Sequence, residues 1–121
     1  MYSGCRQYRE DMAEAVAAVG PGAPRLDRLR HYFDHPGLVE ANTEAVAAAL
    51  DRLPDGLGAV ARVVFVTHSI PVEMARTSGP NGGAYVAQHR AVAEAVITAL
   101  AERTGTRLEH DLVYCSRSGP P

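Results

Sequence analysis

Residues 63–66, Val-Val-Phe-Val, constrain this chain more than any other stretch. So short a run of β-branched and aromatic side chains, set between segments with helical spacing, reads as a strand buried on both faces of a parallel sheet. Thr67, His68 and Ser69 follow at once, and Pro71, with no N–H for a ladder, ends the strand. A histidine therefore falls at the carboxyl edge of the sheet, where open α/β sheets bind ligands. Neutral imidazole takes up a proton near neutral pH or ligates a metal. Position alone leaves these roles level with a histidine that merely closes the strand.

The flanking segments set the layout. Residues 5–19 place Tyr8, Met12, Ala15, Val16 and Val19 on one stripe, a helix with a buried face that Gly20 and Pro21 end. Arg25 to Arg30, with Leu26 and Leu29 nearly in step, reads as a short strand. Asp34 is placed to cap a helix and Pro36 to open it; Leu38, Ala41, Ala45, Val46, Ala49, Leu50 and Leu53 then keep the three-four rhythm up to Pro54. After the central strand, Val72 to Ala75 makes one helical turn. Residues 77–83 are rich in Gly and Pro, a connection or a flap over a ligand. Ala84 to Arg103 is a helix with Tyr85, His89, Val92, Val96, Ile97 and Leu100 on one side, closed by Gly105. Asp111 to Cys115 is a second buried strand. Helices and strands in alternation predict right-handed βαβ units and a parallel α/β sheet.

With 121 residues the chain builds one small domain. A net charge of −2 excludes a nucleic-acid surface as the organising feature. No stretch reaches the roughly 20 apolar residues of a membrane span, and no basic-then-apolar leader comes first, so a cytoplasmic protein is expected. Two cysteines, Cys5 and Cys115, make no disulfide framework. The chain opens almost directly on a helix and stops just after a strand, and we expect a piece of something longer.

Several chemistries are absent. Gly79-Pro80-Asn81-Gly82-Gly83 is not a dinucleotide or phosphate loop, and Ser69 lacks a nucleophile elbow. His31 and His35 lie in a loop, where a capping or solvated role outweighs a metal site. His89 reads as packing and His110 as exposed. Cys115, within a strand, reads as a small buried hydrophobe. Cys5 opens a helix, where the dipole favours a thiolate able to ligate a metal. A single cysteine cannot hold an iron–sulfur cluster, which takes four ligands.

Three motifs in order carry more. Thr67-His68-Ser69-Ile70-Pro71 after Val63–Val66 resembles the strand-end histidine motif of ferrochelatases. Tyr114 to Pro121 is similar to a later strand and loop of that family. Tyr2 to Arg9 and His31 to Asn42 resemble its actinobacterial branch. The resemblance implies a Rossmann-like, three-layer parallel α/β sheet of chelatase type, incomplete because the enzyme has two such halves with a porphyrin between them. Residues 1–20 would be the helix leading in from the missing N-terminal half, and residues 21–121 the start of the second half. The implied activity is insertion of Fe²⁺ into a porphyrin, coproporphyrin III in this branch, during haem biosynthesis.

By the same resemblance His68 ligates the iron or accepts a pyrrole proton, and Tyr8 meets the porphyrin's propionate region. Tyr8 equally fits as the first member of its helix stripe. Cys5 matches one ligand of a two-iron two-sulfur cluster whose other ligands lie near the family's C-terminus. The family's glutamate partner to the histidine and its downstream tryptophan are not among these 121 residues. Two other readings fit the residues. One is a small homodimeric chelatase acting on a sirohydrochlorin or cobalt-type precursor; the other is a tetrapyrrole-binding domain without catalysis.

Overall fold

The computed structural model describes the backbone of residues 2–116 and the side chains of residues 7–116. It divides into two compact units, Met1–His31 and Tyr32–Pro121.

The first unit is helix α1, Tyr2–Val19, followed by a 3-10 turn, Gly20–Gly22. Gly20, at φ 72, supplies the left-handed step that ends the helix. The stripe that reads as buried is not: Tyr8 is 71% exposed and Val19 61% exposed. Residues 23–31 form no strand. Leu26 and Leu29 are three apart, out of step with the period of two that lets one face of a strand bury.

The second unit holds α2 (Pro36–Leu50), β1 (Val63–His68), α3 (Val72–Arg76), α4 (Ala84–Thr104) and β2 (His110–Cys115). His35, not Asp34, caps α2: its Nδ1 accepts from Gly37 N–H at 3.1 Å, and Pro36 stands at the first helical position, where a missing N–H is harmless. The strands β1 and β2 pair in parallel, in register from Val63 with His110 to His68 with Cys115. The connection between them carries α3 and α4, as a parallel pair requires.

The core belongs to α4. Ala93, Val96, Ile97 and Leu100 recur at helical spacing and are each at most 2% exposed. Burying each of the larger three contributes about 1.5–3 kcal/mol. Gly105, at φ 73, closes α4 by donating its N–H to Ala101 O. The helix α2 packs on α4, where Arg103 reaches Glu40 at 3.3 Å. Its Thr43 is fully buried, with the hydroxyl turned back onto Val39 O at 2.8 Å.

The strands are not buried on both faces. Side chains of β1 alternate, so that Val63, Phe65 and Thr67 are half-buried while Val64, Val66 and His68 are exposed. Val113 of β2, in register with Val66, is exposed on the same face. Among the described residues no second layer covers that face.

Candidate functional site

Parallel pairing brings the carboxyl ends of β1 and β2 to one edge. Val63 N–H donates to Glu109 O at the amino end and Ser69 N–H to Cys115 O, at 2.8 Å, at the other. Odd-numbered residues of β1 thus turn their backbone groups to β2, and even-numbered ones, His68 included, turn theirs to the opposite edge. The Ser69 hydroxyl donates to Ser116 O, across the turn that Ser116 makes at φ 56. This clamp fixes the chain just past His68.

The His68 ring is exposed, on the side of the sheet that carries Val64 and Val66. Its Nδ1 lies 2.9 Å from Ser69 O. A carbonyl only accepts, so in the neutral ring Nδ1 carries the proton. That leaves the lone pair on Nε2, the nitrogen free to take a proton or a metal.

Behind His68 stands the first turn of α4. The Tyr85 side chain is buried, and its hydroxyl donates to His68 O at 2.6 Å. The N–H of Tyr85 donates to Ser78 Oγ at 2.8 Å, and that hydroxyl donates in turn to Ala75 O. Residues 77–83 are therefore tied down: Gly83 N–H meets Arg76 O and Ala84 N–H meets Ser78 O. They form a connection rather than a flap.

One turn on, His89 Nδ1 lies 2.6 Å from Tyr85 O and its Nε2 lies 2.8 Å from Thr67 Oγ1. The carbonyl again requires the proton on Nδ1, so Thr67 donates to Nε2. Its ring packs at 4.5 Å from that of Tyr85. His89, read from spacing as plain packing, is thus hydrogen-bonded at both nitrogens. Thr67 and Tyr85 also went unmarked as site residues. The signal available was a polar residue one turn either side of a buried stripe, in a helix that must pass the end of β1.

The other candidates lie elsewhere. Cys115 pairs with His68 in the register and is exposed, not buried, because it ends β2 on the face that no second layer covers among the described residues. His110 is half-buried rather than exposed, its ring edge-on to Phe65 at 5.9 Å. Tyr8 belongs to the first unit, in a pocket of about 150 Å³ that Arg9, Met12 and Leu29 also line. The side chain of Cys5 is outside the described residues. Among the described residues no group of three or more His, Cys, Asp or Glu is arranged to hold a metal ion. No described helix is long and apolar enough to cross a membrane.

Charge concentrates at the other end of the sheet. Arg62 grips Asp111 with two hydrogen bonds, which holds that carboxyl below its usual range and raises the guanidinium. A hydrogen bond from Arg107 holds the Glu94 carboxyl below its usual range as well. A groove of about 450 Å³ opens here, beside Arg90, Glu94 and His110, away from His68.

The family model described as Ferrochelatase matches residues 1–121. A coproporphyrin III ferrochelatase of Frankia alni is 50% identical over 122 residues, covering 99% of this chain and 31% of that protein. Proteins of the same name from Streptomyces griseus and Nocardia farcinica are 49% and 52% identical, each over 99% of this chain and 34% of their own length. The chain thus spans about a third of the length of the curated relatives it matches. No solved structure gives a significant match.

Proposed function

Since this chain belongs to the ferrochelatase family, we propose that the protein carrying it inserts Fe²⁺ into coproporphyrin III, the porphyrin named for its relatives. In the reaction two pyrrole N–H bonds break, two protons leave, and Fe²⁺ exchanges its water ligands for four Fe–N bonds to the ring nitrogens. The group required is a base or ligand with a free lone pair beside the macrocycle. The observation that carries this reading is the His68 ring, exposed at the sheet edge with Nδ1 committed to Ser69 O and Nε2 open.

That lone pair suits either of two steps. It accepts a pyrrole proton, or it ligates Fe²⁺ as the ion sheds water on the way to the ring. In this reading residues 21–121 begin the second of two Rossmann-like halves, and residues 1–20 lead into it. The remainder of the enzyme then supplies the layer over Val64 and Val66, two valines that otherwise stay in water. The Tyr8 phenol donates to a propionate of the porphyrin. Cys5 is one ligand of a two-iron two-sulfur cluster in this branch. With two cysteines in 121 residues the chain cannot complete such a cluster by itself, and no step is assigned to one.

The test is anaerobic insertion of Fe²⁺ into coproporphyrin III by the complete protein, followed by the change in porphyrin absorbance. His68→Ala should lower kcat by about 10²–10⁴, the range for loss of a positioned base. An unchanged rate would exclude His68 from the chemistry.

A further inference from the structure

Two consecutive residues of β1 are gripped by two consecutive turns of α4. Thr67 is held through its side chain, by His89; His68 is held through its carbonyl, by the buried Tyr85 hydroxyl. The directions follow from which partners can only accept. Tyr85 donates to His68 O, His89 Nδ1–H donates to Tyr85 O, and Thr67 donates to His89 Nε2. Thr67 Oγ1 also lies 3.4 Å from the Tyr85 hydroxyl, which closes the set on itself, and none of these groups faces the open side of the sheet where His68 stands.

The consequence concerns one peptide plane. The bond joining His68 to Ser69 has its carbonyl held by Tyr85 and its N–H held by Cys115 O at 2.8 Å. One step further, Ser69 O is the acceptor for His68 Nδ1. Where that acceptor sits depends on the orientation of the clamped plane. If the plane turns, Nδ1 loses its partner, the proton exchanges between ring nitrogens, and Nε2 no longer keeps its lone pair aimed outward. Apolar packing of α4 on the strand would not need a phenol, an imidazole and a hydroxyl in sequence. A hydrogen-bonded strut does.

We propose that Tyr85 is a positioning residue for His68, its phenol, backed by His89 and Thr67, pinning the His68–Ser69 peptide so that His68 presents Nε2. The inference rests on the role proposed for His68. It assigns Tyr85 no contact with porphyrin or iron.

The test uses the complete protein. Tyr85→Phe removes one hydroxyl and keeps the ring in place. It should lower kcat for iron insertion about tenfold while KM for the porphyrin stays within twofold, because the phenol does not touch substrate. Thr67→Val, which keeps shape and loses the hydroxyl, should lower kcat in the same way, and Thr67→Ser should restore it. Nitrogen-15 spectra of the His68 ring provide a second readout, independent of turnover. The native ring should show Nδ1 protonated and Nε2 bare, and Tyr85→Phe should average the two nitrogens.

An unchanged kcat and an unchanged ring tautomer in Tyr85→Phe would overturn the proposal. So would a loss in Thr67→Val that Thr67→Ser fails to restore. Should Tyr85→Phe unfold, the Thr67 pair decides. Were the native protein to insert no iron at all, the reaction proposed above would fall, and the ring spectra alone would decide whether Tyr85 positions His68.

Discussion

Gly82 and Gly83 are neighbours in the connection that leads into α4, and both lie in the left-handed region, at φ 77 and φ 69. An alanine at either position meets the same backbone penalty, about 1–2 kcal/mol for an L-residue in that conformation. Their surroundings differ. A Cβ on Gly83 would have nothing within 4 Å, whereas one on Gly82 would stand 2.7 Å from Arg76 O. That neighbour is backbone and cannot swing aside. It is also the acceptor for Gly83 N–H at 2.9 Å, so pushing it away weakens a hydrogen bond with a net value of about 0.5–1.5 kcal/mol. Gly83→Ala should therefore destabilise by about 1–2 kcal/mol, and Gly82→Ala by about 1.5–3.5 kcal/mol.

Urea unfolding at equilibrium measures both. With a slope of about 1–3 kcal/mol per molar, the difference of about 0.5–1.5 kcal/mol should separate the midpoints of the two variants by about 0.2–1.5 M. The slopes should match, since neither change alters the surface exposed on unfolding. Equal midpoints would mean that the connection yields freely at Arg76, and the account of it as a fixed support for Tyr85 would be wrong.

Leu100→Ala, at a site 1% exposed on the buried row of α4, should cost about 2–5 kcal/mol in the same assay; a loss near zero would remove α4 from the centre of the core. Acid should weaken the fold through Asp111, Glu94 and Glu73, whose carboxyls Arg62, Arg107 and Arg76 hold below their ordinary values. A carboxyl depressed in the folded state adds stability that is complete above the unfolded pKa, about 4, and is lost as pH falls through the folded value. The melting temperature should thus drop below about pH 5. Asp111→Asn should shrink that drop, and identical acid profiles for the two proteins would refute the assignment.

How much of this was legible depends on where the physics is local. The β1 run, Pro71 after it, the α4 rhythm and Gly105 are each decided within a few residues, and each stands where the sequence puts it. The cap on α2 fell one residue away because a histidine ring at position 35 can accept from the N–H of Gly37 as a carboxylate at position 34 would. Burial was harder. Val64 and Val66 are as apolar as a buried strand demands, yet they are exposed, since burial depends on a second layer and not on the strand itself. The stripe of α1 misled for the same reason: periodicity shows which face is apolar, not that something covers it. At the site, the position of His68 at the strand end was readable, whereas its tautomer was not. That rests on Ser69 O and on a tyrosine 17 positions further along the chain, a contact only the folded crossover creates.

The sheet divides its labour along its length, and the division explains why the polar groups sit where they do. At the amino end Arg62 with Asp111 and Arg107 with Glu94 are half-exposed pairs, screened by water, and they add little to a fold that the buried row of α4 already carries. The carboxyl end does the reverse. Tyr85 is a large buried side chain whose hydroxyl must be satisfied, and Ser78 is buried too. Ser78 satisfies the N–H of Tyr85, whereas an apolar residue in place of Tyr85 would remove the need to satisfy a hydroxyl. The Tyr85 hydroxyl is worth its desolvation where the group it holds must stay in one orientation. The group so held is the backbone of an exposed histidine, which contributes nothing to the core. Stability alone does not account for a buried strut ending on an exposed imidazole, and a reaction that needs one lone pair aimed at one place does.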